Sequence, residues 1–555
     1  MLKNTLLTAA FLAASHSAYA QQAPSAGGQL QQIPPALTPE KIEPDLRVER
    51  PNATGAVQPG GPTTAVRSLR VSGATVFSET ELVAASGFAG ESTLSLGQLR
   101  DMAGRITAFY NRHGYFLAQA YLPAQNIEAG VVTIAVMEGR YGRVGLQNQS
   151  RLKDRVAQGL LDGLDPGDLV ANAPLERRLL LLSDIPGVTV NSTLSPGEGV
   201  GTSDLTVGLT PGPRVSGSLE ADNAGSRYTG PYRAGATINF NNPTGNGDVV
   251  SLRVLASDAG LAYGRASYQT QVGAGTVGAA YAYLAYDLGR EFKSLDAHGH
   301  ADVASLYGSY PLVRSRAGNL YALASLDFKT FRDEVGLTSS TTRRNAQVLT
   351  VGLSGDRRDD FGGGGWSVFS LSGSLGDLDI RSPLDRAADA VTARTNGRYG
   401  KLQFSAARLQ SVKGPLSIYG AVRGQIASKN LDTSEKMELG GAYAVRAYPE
   451  GEAYGDEGYV ATVEARLRLS KLPTSIPAQI QLIGFIDVGA VQSAKNPWST
   501  GSNYQQRSAI GAGVNFDLPN DWMLKVSYAH RLGDDQPTSA PVRAQRAWVQ
   551  IAKLF

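Results

Sequence analysis

Arg446 stands just ahead of four carboxylates, Glu450, Glu452, Asp456 and Glu457, in a polar stretch over residues 445–458 that is rich in glycine and tyrosine. Those carboxylates could offer oxygen ligands to calcium, but they lack the spacing of a known calcium loop. His298 and His300 are spaced for a metal, yet no third ligand lies near them in the sequence, and loop histidines are the better reading. Residues 273–278, Gly-Ala-Gly-Thr-Val-Gly, spell a dinucleotide fingerprint. No helix follows it and no βαβ unit surrounds it, so a hairpin turn is expected there. No nucleophile is paired with a base. The chain has no cysteine, which excludes disulfides, thiolate chemistry and cysteine-held metals. No catalytic residue, metal or cofactor is assigned, and no enzyme is expected.

The chemistry that remains is a charge pair. Downstream of the polar stretch runs a strand-like segment, 480–489, with a lone aspartate. Ile480, Leu482, Gly484, Ile486 and Val488 share one face; Gln481, Ile483, Phe485, Asp487 and Gly489 share the other. If the first face meets lipid, Asp487 points into a lumen. A guanidinium presents two parallel donors that suit a carboxylate, so Arg446 folding back onto Asp487 is the expected tie. A lumen lined by Arg423, Arg466, Arg468 and Arg531 could instead hold Asp487 as a simple counter-ion.

The rest of the chain must position this pair. Its 555 residues include 64 glycines and 23 tyrosines, with only 18% charged residues and a formal net charge of +3, so nothing suggests nucleic-acid binding. Residues 1–20 read as a signal peptide: Lys3, an apolar run over 6–14, and Ala18-Tyr19-Ala20 as the cleavage site. Residues 21–65, rich in Gln, Pro and Gly, read as a linker or tail. A β-α-α-β-β order then appears over 66–140, where Ser95 and Gln98 form a capping-box pattern ahead of Leu99, Met102, Ile106, Phe109 and Tyr110. The same order repeats over 141–210, with Pro174 opening a helix that bears Leu175, Leu179 and Leu182.

From 211 to 555 the helical signal ends and alternating segments recur. In 459–470, Tyr459, Ala461, Val463, Ala465, Leu467 and Leu469 oppose Val460, Thr462, Glu464, Arg466, Arg468 and Ser470. In 522–532, Trp522, Leu524, Val526 and Tyr528 oppose Lys525, Ser527, Ala529 and Arg531. Apolar and aromatic residues on one face, with charged residues on the other, suit a barrel with lipid outside and water inside. Eleven segments precede the polar stretch and five follow it, beginning near 459, 480, 508, 522 and 546. The fold class expected is mainly β: a 16-stranded transmembrane β-barrel behind two small α+β domains. A barrel of this size leaves room for a long loop inside.

At this point the residues carry a family resemblance. Val445-Arg446-Ala447-Tyr448-Pro449-Glu450-Gly451-Glu452-Ala453-Tyr454-Gly455 and its continuation to Gly458 resemble the lumen loop of two-partner secretion outer-membrane transporters, the ShlB/FhaC/HecB-like TpsB family. Phe485-Ile486-Asp487-Val488-Gly489 resembles their barrel-wall motif. The resemblance makes 66–140 and 141–210 paired POTRA domains, Arg446 the loop-tip arginine, Asp487 its wall partner and the terminal Phe555 a barrel C-terminal signal read by the barrel-assembly machinery. It implies a Gram-negative outer membrane with its lipids, periplasmic POTRA domains, and one secreted partner exoprotein, a large β-helical adhesin or haemolysin, exported unfolded without nucleotide hydrolysis. Ala447 stands where barrel-assembly insertases usually carry glycine, which favours the secretion branch. Residues 21–65 show no counterpart of the family's N-terminal plug helix. The alternatives are an insertase relative, and a diffusion porin, which needs no periplasmic domains.

Overall fold

A computed structural model describes residues 24–37, 45–48, 63–469, 479–518 and 521–555. The signal peptide expected at 1–20 lies outside the described residues. Two compact units form, one from residues 41–213 with 245–247, the other from the chain up to 40, 214–244 and 248–555.

In the first unit, the leading module has a three-stranded sheet in which Ser68–Ser72 runs parallel to Val131–Met137, and Gln119–Tyr121 pairs antiparallel on the other side. Gln119–Tyr121 is only three residues long. Helices Glu79–Ser86 and Leu96–Arg112 cover the sheet, and both open on reciprocal capping boxes, Ser78 with Glu81 and Ser95 with Gln98. The buried stripe Leu99, Met102, Ile106 and Tyr110 packs with Leu82, Val132 and Ile134, while Phe109 lies half-buried against Phe77. Glu138 is buried at the end of the sheet. It accepts hydrogen bonds from the amides of Thr75 (2.6 Å) and Val76 (2.9 Å) and from the Tyr110 hydroxyl (2.8 Å). The Thr75 hydroxyl donates to it as well.

The second module repeats the order with strand Arg140–Asn148, helices Asp154–Leu161 and Asn172–Ser183, and strands Val188–Pro196 and Thr202–Pro211. Its sheet holds a strand that the sequence pattern does not announce. Asp45–Val48, inside the stretch read as a linker, pairs parallel with Val188–Pro196 at the sheet edge. Leu46 and Val48 alternate with the exposed Arg47, enough for an edge strand but too short for a periodic signal.

The second unit is a closed barrel of 16 strands, each antiparallel to the next, closed by Val215–Asp222 against Gln545–Leu554. The first eleven strands end at Leu416–Ala427, and the last five begin with Glu457–Leu469. The fingerprint-like glycines form a tight hairpin, with Gly273 at φ +56 between Leu261–Val272 and Gly275–Asp287. Alternation is kept along the wall: Tyr459, Val463 and Leu467 are exposed while Val460 and Glu464 are buried.

One expectation is corrected here. Ala26–Gln31 is a helix, and it packs with residues lining the barrel interior. Ala26 donates from its amide to Asp333 (2.8 Å), Thr229 bonds Gln29 (2.9 Å), and Arg233 and Arg253 donate to the carbonyls of Gln32 (2.8 Å) and Pro34 (2.7 Å). Two glycines in six residues give it little intrinsic helix propensity. Tertiary contact decides instead: a Cβ on Gly27 would meet Ser434 Cβ at 2.8 Å, so the close packing that makes the helix also requires glycine.

The Glu138 cluster sets a pH dependence. Burial by itself raises this carboxyl, but the Thr75, Val76 and Tyr110 donors outweigh it and hold it below its ordinary value. Its contribution to stability is therefore present at neutral pH and lost as the pH falls through the folded value. Glu138→Gln is expected to cost about 1–3 kcal/mol at pH 7. It should also flatten the acid limb of stability between neutral and acidic pH, as measured by denaturant unfolding of the full chain.

Candidate functional site in the barrel lumen

Residues 428–456 connect the eleventh strand to the twelfth at the barrel end opposite the chain's entry and exit, and they fold into the lumen. The loop is longer than the stretch 445–458 singled out in the sequence; residues 457 and 458 already belong to the wall. Its two arms are zipped by Met437–Glu438 against Tyr454–Gly455. The tip is closed by main-chain bonds, including Leu439 N to Ala453 O at 2.9 Å and Tyr448 N to Val445 O at 3.1 Å. Val445, Ala447, Tyr448 and Leu439 are buried with Val460, Phe485, Val491, Ala509 and Ala529 of the wall. Gly489 makes that approach possible, since a Cβ there would meet Leu439 Cδ1 at 2.6 Å.

Arg446 meets Asp487 in a fork: Nε to Oδ2 is 2.8 Å and Nη2 to Oδ1 is 2.7 Å. The Arg446 amide donates to the same carboxylate at 3.1 Å, as does the Thr462 hydroxyl at 2.9 Å. The remaining guanidinium edge donates from Nη1 to Glu464 at 2.9 Å, and the plane lies 3.4 Å from the Phe485 ring centroid. Glu464 in turn accepts from Arg466, which sits over Tyr419. On the main chain, the Trp548 indole N–H donates to the Arg446 carbonyl at 2.7 Å. The tip is thus held by the twelfth, thirteenth and sixteenth strands at once. Glu464 and Thr462 were legible as inward-facing residues of 459–470. Trp548 carries no signal in the sequence, because its strand only reaches the tip after the barrel closes.

The other predicted residues are distributed along the loop and the seam. The Tyr448 hydroxyl donates to the Asp535 carbonyl (3.0 Å), and Arg507 lies over its ring. Glu450 accepts from the Ala442 amide (3.3 Å), and the Gly451 amide donates to Glu438. Tyr454 accepts from Gln32, just beyond the N-terminal helix, at 2.6 Å, so loop and helix hold each other. Gly455 pairs with Met437. Phe555 is half exposed and exchanges main-chain bonds with Gly217 of the first strand, at the barrel seam. Arg531, one of the cations weighed as a counter-ion, donates to Asp535 O instead.

The loop carboxylates are satisfied by protein groups. Glu452 takes Arg507 (3.2 Å), the Thr538 amide (2.9 Å) and the Ser539 hydroxyl (2.7 Å). Asp456 pairs with Lys436 and Glu457 with Lys495, each at 2.6 Å. The entering arm is clamped by Glu435 between Lys329 (2.7 Å) and Lys401 (2.8 Å), and by Asp432 against Arg344, which also holds Asp333. Among the described residues no group of three metal-ligating side chains gathers. Next to the tip a cavity of about 600 Å³ stays open, lined by Arg446, Phe485, Tyr419, Arg423, Glu464 and Lys525.

A closed 16-stranded barrel with a loop tied into its lumen, following α+β modules in the chain, is the architecture of an outer-membrane β-barrel protein. The family model for the haemolysin secretion/activation protein ShlB/FhaC/HecB matches residues 201–517, and the model for the ShlB-type POTRA domain matches residues 64–139. The chain belongs to the ShlB/FhaC/HecB family of two-partner secretion transporters of the outer membrane, whose POTRA domains lie in the periplasm. It is 29% identical over 472 residues to the heme/hemopexin transporter protein HuxB of Haemophilus influenzae, covering 83% of this chain and 82% of that one. The outer membrane transporter CdiB of Dickeya dadantii is 21% identical over 474 residues, with the same coverage. In structure, CdiB from Escherichia coli superposes with a TM-score of 0.70 at 20% identity, covering 91% of this chain and 93% of that one. CdiB from Acinetobacter baumannii gives 0.62 at 18% identity, covering 100% and 98%. At these identities the two structures speak for the fold.

The geometry ranks the partners of Arg446. Asp487→Asn removes the charge behind two of its side-chain bonds and is expected to loosen the tip by roughly 3–5 kcal/mol, the scale for breaking a buried pair. Glu464→Gln leaves the fork in place and should cost less. Hydrogen exchange at the amides of 439–448 reads the difference, with the larger acceleration expected in Asp487→Asn.

Proposed function

We propose that this transporter exports one partner exoprotein, a large β-helical adhesin or haemolysin, that its α+β modules capture unfolded in the periplasm. The exoprotein then passes outward through the barrel lumen, and folding outside makes the step irreversible. The observation that supports this reading is the way the lumen is filled. Loop and N-terminal helix occupy it through hydrogen bonds and ion pairs, beside an open cavity of about 600 Å³, so that both are displaceable without unfolding the wall. In this reading the Arg446–Asp487 fork holds the loop in the arrangement that export requires. The C-terminal strand ending in Phe555 presents the barrel to the assembly machinery, and the exposed apolar face meets outer-membrane lipid.

Co-expression with the secreted partner tests the proposal. Arg446→Ala is expected to lower export at least about tenfold, consistent with more than 1.4 kcal/mol lost at a bidentate charged contact. Heat-modifiable migration of the inserted barrel should be unchanged. Full secretion by that variant overturns the role assigned to the fork. Deleting residues 66–210 should abolish export; a diffusion porin would keep conducting small solutes.

A further inference from the structure

Strands Ala297–Arg314, Gly318–Val335, Ser340–Asp359 and Gly365–Ile380 carry a row of cations at one end of the wall, on its outer face. That end lies away from the chain's entry and exit, and with the POTRA domains in the periplasm it is the cell-surface end. Phe331 and Asp333 meet the N-terminal helix in the lumen, which turns Arg332 outward. Arg344 pairs Asp432 inside, so Arg343 is outward and exposed. Ile380 is buried with Leu431 of the lumen loop, so Arg381 also faces out. His300, Arg332 and Arg343 are direct register partners, and the Arg381 amide donates to the Arg343 carbonyl at 2.8 Å. Three arginines therefore stand side by side on neighbouring strands. Like charges placed directly opposite in this way repel. Arg332 Nε lies 2.6 Å from Glu334, and Arg381 Nε lies 2.7 Å from Asp379, which Arg386 shares at 3.5 Å. Arg343, between them, forms no ion pair among the described residues. Nearer the middle of the wall, Tyr281, Tyr283 and Phe328 are exposed on the same face, and His300 stacks on Tyr283 with ring centroids 5.9 Å apart. Aromatic residues border the apolar band of an outer-membrane barrel, so the row beyond them stands at headgroup level.

We propose that Arg332, Arg343 and Arg381 bind the phosphate group of a glycolipid in the outer leaflet. Neighbouring strands stand about 4.8 Å apart, so adjacent guanidinium groups reach one phosphate together. A phosphate offers oxygens to two guanidinium forks at once, and it replaces repulsion along the row with charge-assisted hydrogen bonds. Glu334 and Asp379 steady the two flanking arginines and leave Arg343 as the central cation with its charge unmatched. The wall also decides between a lipid and a phosphate ion from the medium. Leu306, Leu349 and Leu375 are exposed below the row on three of the same strands. They offer apolar contact to acyl chains hanging from the bound headgroup, and a free phosphate gains nothing from them. The site depends on the barrel's place in the outer membrane and not on what the lumen exports.

The probe is bis-phosphorylated lipid A, titrated onto the full-length protein in detergent, with bound lipid counted by native mass spectrometry. Wild type is expected to bind it at least about tenfold more tightly than the same lipid after enzymatic removal of its phosphates. Arg343→Gln should lose at least about tenfold in affinity for the phosphorylated lipid and none for the dephosphorylated one. Arg394→Gln removes the same charge from an exposed position on the same outer hairpin, outside the row, and should bind as wild type does. Inorganic phosphate in large excess should not displace the lipid. In detergent without lipid, Arg343→Gln should be at least as resistant to heat as wild type, because one of three opposed charges is gone. Equal affinity for the two lipids, unchanged binding by Arg343→Gln or an equal loss in Arg394→Gln overturns the proposal. Displacement by inorganic phosphate assigns the row to a free ion and overturns the lipid. A less heat-resistant Arg343→Gln barrel also overturns it, since Arg343 would then be holding the wall and not awaiting an anion.

Discussion

A guanidinium taken out of bulk water needs acceptors for each of its donor edges, and Arg446 has them. Asp487 takes two donors in a fork and Glu464 a third. Phe485 covers the flat face at 3.4 Å. The energetic value of such a cluster lies less in the attraction between its charges than in the cost of breaking it, because a partner removed leaves a buried charge without compensation. That asymmetry gives the loop a defined resting position. The apolar cluster around Val445 and Tyr448, packed on Val460, Phe485, Val491, Ala509 and Ala529 of the wall, adds burial to that charge geometry, so the two together specify the position.

The same logic runs through the rest of the lumen. The entering arm of the loop is held by Glu435 between two lysines, and by Asp432 on Arg344. Arg344 also pairs Asp333, and Asp333 accepts the amide of Ala26. Loop, wall and N-terminal helix thus share one network, and Gln32 on Tyr454 adds a second link between helix and loop. The wall keeps its own closed ladder of main-chain bonds, separate from the bonds that hold these occupants. The barrel, closed on itself, has no free edge. The modules do have edges, and Asp45–Val48 covers part of one of them.

Much of the fold was legible in residue order. Period-two alternation marked the wall, and strand counting placed eleven strands before the loop and five after it, as the closed sheet has them. The capping boxes at Ser78 and Ser95 follow from local hydrogen-bond chemistry that any chain carrying those residues can use. The inward face of 480–489 located Asp487, and the structure brings it to Arg446. The extent of the loop was less legible, because Met437–Glu438 and Tyr454–Gly455 are paired pieces of two residues each. Strands of that length leave no periodic trace.

What the sequence by itself determined is what depends on neighbours along the chain: alternation, helix starts, hairpin turns, and the side of the wall on which each carboxylate falls. Only the tertiary structure decided what depends on residues far apart. Gly27 is glycine inside a helix because a Cβ there would meet Ser434 Cβ at 2.8 Å. Trp548 reaches the Arg446 carbonyl from 102 residues away because the sixteenth strand closes the barrel beside the tip. Asp45–Val48 becomes a strand because Val188–Pro196 presents an edge to it. In each case the local preference is weak, and the free energy that settles the conformation comes from a partner that only the folded chain supplies.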